Sequence, residues 1–185
     1  MNKVITMLAL TAGVLLMTGC AASKPVSEIP SWYLDLPDDP NMLFGVGSGE
    51  SSRMQTARDK ATQAARNNLA QSVEVKFDGL TKQFTEEVGV AGNSEVLEYF
   101  VEATKSVVST VLIGAATDKA KILEKGNVYV AYILIKMDAA APNKAWMDKL
   151  SQQDVMYTKF RASQTFQELE AETKKFEEYK ESGGM

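Results

Sequence analysis

The chain has 185 residues, with 24 acidic and 20 basic side chains and a formal net charge of −4. It carries no basic excess to neutralise a phosphate backbone, which argues against nucleic acid as a partner. Histidine is absent and cysteine occurs once, so Ser-His-Asp, Cys-His and histidine-rich metal chemistry are excluded and an internal disulfide cannot form.

Met1-Asn2-Lys3 starts with one positive charge. An apolar run follows from Val4 to Met17, and then Thr18, Gly19 and Cys20. A cationic start, an apolar stretch of about 7–15 residues and small residues at the cut describe a secretory signal peptide. The run is shorter than the ~20 residues of a membrane-spanning helix. Small residues directly before the only cysteine resemble a bacterial lipobox. Residues 1–19 then form the signal peptide, and Cys20 carries a diacylglycerol with acyl chains such as palmitate. The competing reading is an ordinary signal peptide cut after Ala21 or Ala22; Met17 stands where a lipobox usually has leucine. Residues 20–31 read as a lipidated tether bearing Pro25 and Pro30. Ala21, where an Asp would signal inner-membrane retention, fits outer-membrane sorting.

Beyond the tether, Pro37-Asp38-Asp39-Pro40 is turn chemistry. Met42 to Gly47 reads as a first strand. Gly45, Gly47 and Gly49 read as a tight strand-to-helix turn needing positive φ. Ser52 and Gln55 have capping-box spacing. They open a helix to about Ala70, with Met54, Ala57, Ala61, Ala64, Ala65 and Leu69 on one face. An alanine face predicts close approach to a sheet. Val73-Glu74-Val75-Lys76-Phe77 alternates and predicts a half-buried strand. Leu80, Phe84 and Val88 suggest a short helix. Asn93 or Ser94 caps another, whose β-branched end, Val107 to Ile113, turns toward strand. Thr117–Leu123 and Val128–Met137 read as a hairpin around Lys125-Gly126-Asn127. Its second strand is nearly all apolar and should be central. Residues 139–185 read as a helical extension. The fold class is α+β: helices packed on a small, largely antiparallel sheet in the order β-α-β-α-β-β, followed by that extension.

Few motifs carry chemistry. The glycine-rich stretch lacks the third glycine of a dinucleotide loop, and Glu50 in its place would repel phosphate. Arg53, Arg58 and Arg66 make the first helix locally basic. They face anionic headgroups, the cell wall or solvent. Trp32 and Tyr33 either form a ligand platform or pin the chain onto its core. Phe166, Leu169 and Phe176 form a short heptad-like stripe. It is either an oligomer seam or a face returned to its own domain. No residue set identifies a catalytic centre or a metal site, so the expectation is a protein that is not an enzyme and has no cofactor beyond the covalent lipid at Cys20.

Cys20, Pro30-Ser31-Trp32, Phe44-Gly45-Val46-Gly47, the Ala57/Ala61/Ala64/Ala65 helix, Gly114 and Val128-Tyr129-Val130 together resemble the lipoprotein-twenty family of small bacterial outer-membrane lipoproteins. The resemblance spans Cys20 to about Asp138 and takes in the α+β domain at residues 32–138. It implies a compact α+β domain, an envelope role without catalysis, and partners that are the outer membrane, further copies of the chain or envelope-complex proteins. Some members of the family are flagellar and self-assemble into rings at the flagellar base. The expected location is the outer membrane, with the domain in the periplasm. The alternative is a periplasmic binding module for cell wall, lipid or a small ligand.

Overall fold

The computed structural model describes residues 28–183; the expected signal peptide, Cys20 and most of the expected tether lie outside the described residues. A one-turn helix α1 (Ser31–Leu34) precedes β1 (Met42–Ser51), α2 (Met54–Glu87), α3 (Ser94–Gly114), β2 (Ala116–Lys125) and β3 (Val128–Asp138). Three helices follow: α4 (Ala140–Leu150), α5 (Asp154–Ala162) and α6 (Gln164–Glu181). The class is α+β, with a three-stranded antiparallel sheet in the order β1-β3-β2. The hairpin turn forms where expected, with Gly126 at φ +62°. β3 is central, and Ala131 to Ile135 are all buried.

The element order differs from the sequence expectation at one place. Val73 to Phe77 is not a strand; it lies inside α2, a helix of 34 residues and roughly 50 Å at 1.5 Å per residue. Val73 and Phe77 are four apart and buried, together with Leu69, Thr81 and Phe84, whereas Val75 is 71% exposed. The apparent alternation was two members of a helical stripe with an exposed valine between them. Gly79 does not break the helix: the packing of Phe77 and Phe84 outweighs the ~1 kcal/mol that glycine costs there. The β-branched end of α3 likewise stays helical to Gly114.

The glycines of β1 have a different role from the one expected. None has positive φ. They alternate on one face of the strand, and that face lies directly under α2. A Cβ on Gly45 would stand 2.5 Å from the Ala65 carbonyl oxygen, and one on Gly49 would stand 2.5 Å from that of Ala57. At Gly47 it would press into the Ala61 carbonyl and the Ala65 amide. Ala57, Ala61 and Ala65 are fully buried opposite them. Small residues on both sides thus let backbone meet backbone. The expected capping box does not form: Arg53 is the N-cap with no side-chain bond, and the Gln55 amide donates to Asp59 at 2.8 Å. Asn93 does cap α3, its Oδ1 accepting from the Val96 amide at 3.1 Å.

The second half of α2 packs through large side chains. Phe77 stacks on Trp146 of α4, with centroids 4.7 Å apart. Phe84 meets Phe100 of α3 and Phe160 of α5, each at 5.2 Å. Phe160 then meets Phe166 of α6 at 5.1 Å. One buried cluster runs from Ala57 to Leu169. The helices after Asp138 therefore complete the core rather than extend from it.

Glu87 joins the ends of two helices. Its carboxylate accepts from the Gln164 amide at 2.7 Å, and from the Thr165 amide and hydroxyl at 3.4 and 3.1 Å. An acid at the C-terminus of α2 opposes that helix's dipole, but here it satisfies unpaired amides at the N-terminus of α6. The Gln164 amide bond, more than any other contact, holds the Glu87 pKa below its ordinary value. A depressed carboxylate pKa contributes stability that is present above the unfolded pKa and lost as pH falls through the folded one. Thermal melts across pH 3–7 are expected to show wild type losing stability below about pH 5. Glu87→Gln should be less stable at pH 7 and lose less on acidification.

Candidate functional site

Two of the three residue sets singled out in the domain's sequence lie on surfaces, on opposite faces of the sheet. Gly45, Gly47 and Gly49 face α2, so the alternate residue Ser48 faces away. The Tyr33 hydroxyl donates to Ser48 Oγ at 3.2 Å. The Tyr33 ring meets Tyr132 of β3 edge-on at 5.0 Å, and Trp32 lies edge-on to Tyr33 at 6.4 Å. Tyr132 is buried by this cover, with Tyr33 and Trp32 half-buried above it. Tyr33 therefore pins the start of the domain to the outer sheet face. Glu28 pairs with Lys125 at the hairpin tip at 2.5 Å, which fixes where the tether leaves the domain.

The arginines belong to the helical side. Arg58 and Arg66 are eight apart on α2 and share one side of it; Arg53 sits at its N-cap. Arg53 and Arg58 are exposed, whereas Arg66 is half-buried with its Nε unpartnered. The aromatic pair and the arginines do not converge on one ligand. Among the described residues, no group of three or more Asp, Glu, His or Cys is placed to hold a metal ion.

The third set is buried. Phe166, Leu169 and Phe176 are 4%, 2% and 4% exposed, packed within their own chain. The stripe is thus not presented as an oligomer seam. It follows the other reading of the same spacing, a face returned to the domain. Ion pairs flank it: Lys76 with Glu172 at 2.8 Å and Lys180 with Asp138 at 2.6 Å. Both are partly exposed and contribute little on their own.

Sequence reasoning missed Glu87. It has no local signature, because it acts on an element distant in sequence. The glycine–alanine contact did have one: glycines at steps of two facing alanines at steps of four.

A small antiparallel sheet clasped by one long helix and closed by C-terminal helices, with its start pinned beside the hairpin tip, defines a compact α+β domain. The family model for LPP20 lipoprotein matches residues 30–138, more than half of the chain. The chain belongs to the LPP20 lipoprotein family. No match was found among curated proteins or solved structures. Among the described residues, no helix is long and apolar enough to cross a membrane.

Proposed function

We propose that this lipoprotein is a non-enzymatic structural component of the cell envelope, anchored in the outer membrane through Cys20, with its domain in the periplasm. It acts by lateral association with further copies and with envelope-complex proteins; the flagellar base is the setting that its family resemblance brings forward. The observation that carries this reading is the family match beginning at residue 30, ten residues after the lipobox cysteine. A tether of that length spans at most about 35 Å and holds the domain near the membrane plane. Tethering to a plane raises effective concentration and imposes a common orientation, so weak lateral contacts become an assembly.

Acyl burial contributes about 0.8 kcal/mol per CH₂, and one chain alone binds only marginally. The two or three chains of a mature lipoprotein should therefore give long-lived anchoring. Cys20→Ala is expected to move the protein from the outer-membrane to the soluble fraction, with its circular dichroism unchanged. A clean deletion should impair envelope integrity, motility or the composition of an envelope complex. Retention of Cys20→Ala in the outer membrane, or wild-type behaviour of the deletion in all three respects, would count against this reading.

A further inference from the structure

The sheet face turned away from α2 is apolar. Ordinarily the second face of an antiparallel sheet is solvated and polar. Here β3 presents Val128, Val130, Tyr132 and Leu134 on that side, alternating with the residues under α2. The segment from α1 to Pro37 crosses the middle of this face. Tyr33 is bonded to Ser48 at one end of the crossing, and Pro37 lies in a groove with Phe44 and Lys136 at the other. Tyr132 and Leu134 are buried beneath it, whereas Val128 and Val130 are half-buried. Side chains of the crossing segment itself stand out to solvent: Leu34 is 62% and Leu36 46% exposed, and Ile29, just before α1, is 38% exposed. Apolar side chains grouped in this way mark an interaction surface, whereas scattered single ones do not.

The chain preceding the domain leaves from the same face. Glu28 is held by Lys125 at 2.5 Å, and the register of Lys125 with Val128 puts it on this face at the hairpin tip. Eight residues separate Cys20 from Glu28, a reach of at most about 28 Å. That is well short of the roughly 50 Å length of α2, so the face around Glu28 is the one held closest to whatever holds Cys20. Charges on this face are of both signs. Lys119 and Lys121 stand on it through their register with Leu134 and Tyr132, and Asp35 and Asp38 flank the exposed leucines. Among the described residues none of these four enters an ion pair, while Lys125 and Lys136 are neutralised by Glu28 and Asp118.

We propose that this face docks on the lipid surface that holds Cys20, with Leu34 and Leu36 entering the boundary between headgroups and acyl chains. The inference deepens the proposed function and rests on its lipid anchor. The layer it fits is zwitterionic: phosphates match Lys119 and Lys121, and ammonium groups match Asp35 and Asp38. A strongly anionic layer would be opposed by the two aspartates. Trp32, half-buried beside Tyr33, has the amphipathic ring that favours such a boundary. Burial of a few aliphatic side chains binds weakly by itself. The anchor makes it effective by keeping the face at high local concentration.

The test uses the acylated full-length protein reconstituted into phosphatidylcholine vesicles whose acyl chains carry bromine near the headgroup. Bromine quenches tryptophan fluorescence on contact, and the chain has two tryptophans. Trp146 is fully buried and serves as the unquenched reference. The protein is expected to float with the vesicles and to show quenching that Trp32→Phe removes. Leu34→Asn combined with Leu36→Asn should float equally and melt with wild type, since both side chains are exposed, but lose at least about half of the quenching. Exchanging part of the phosphatidylcholine for phosphatidylglycerol should not increase it. Protein that fails to float removes the anchor, and the docking falls with it. Floating protein whose Trp32 is unquenched, or whose quenching ignores the two leucines or requires phosphatidylglycerol, would overturn the docking and leave the anchor standing. Loss of cross-linked homo-oligomers in the leucine variant would then assign the face to a second copy instead.

Discussion

Gly47→Ala is expected to destabilise the domain by about 3 kcal/mol, near the upper end of overpacking costs, and to lower its melting temperature by roughly 10 °C. The methyl group would press into the Ala61 carbonyl, the Ala65 amide and the Ala64 carbonyl carbon. All three are backbone atoms inside a helix and cannot rotate away as a side chain could. Relief requires lifting α2 from the sheet, which also loosens Ala57 and Leu69. Ala61→Leu enlarges the same contact from the other side and should have an effect of the same sign. Gly79→Ala is the control. Nothing lies within 4 Å of a Cβ at that position, and the site is helical, so stability should rise by roughly 0.5–1 kcal/mol. Thermal melts of the three variants check this directly. A Gly47→Ala protein that melts with wild type would mean that the helix and sheet do not meet backbone to backbone.

Trp146→Ala should cost about 3–5 kcal/mol, the range for deleting a large buried aromatic side chain. Trp146 is fully buried. It stacks on Phe77 at 4.7 Å and contacts Phe100 at 5.6 Å and Phe160 at 5.4 Å. Its indole N–H donates to Thr104 at 3.3 Å. It therefore links α2, α3 and α5 through α4, and its loss leaves a cavity bounded by three rings. The family match ends at residue 138, so truncation there removes Trp146, Phe160 and Phe166 together. It would expose Phe77, Phe84 and Phe100, and the fragment should fail to give a cooperative melt. Urea unfolding of Trp146→Ala and of the truncation measures both effects. A fragment ending at Asp138 that unfolds cooperatively would show that the C-terminal helices are dispensable.

The parts of the fold that were legible in the sequence are those in which local pattern and burial agree. The hairpin was readable because Lys125-Gly126-Asn127 is turn chemistry directly before an apolar run, and β3 because both its faces are covered. The alanine face of α2 announced a close approach. It meets a sheet, as expected, but the role of Gly45, Gly47 and Gly49 was read wrongly, because they satisfy a turn's composition as well as a packing role. Only the position of α2 separates the two. Val73 to Phe77 failed for a related reason: residues four apart and residues two apart coincide over five positions, and only the exposure of Val75 distinguishes helix from strand. Among candidate functional residues, Tyr33 was recognisable as an aromatic near the start of the domain. Its partners Ser48 and Tyr132 were not, since they lie on strands that only the sheet brings together.

The central claim, that a membrane-anchored domain works by association within the envelope, is tested most directly by cross-linking in living cells followed by purification through a C-terminal tag. The expected result is cross-linked homo-oligomers together with envelope proteins in the outer-membrane fraction, strongly reduced in Cys20→Ala even though that variant folds. A protein recovered only as an uncross-linked monomer, or one giving the same cross-linked species with and without Cys20, would contradict it.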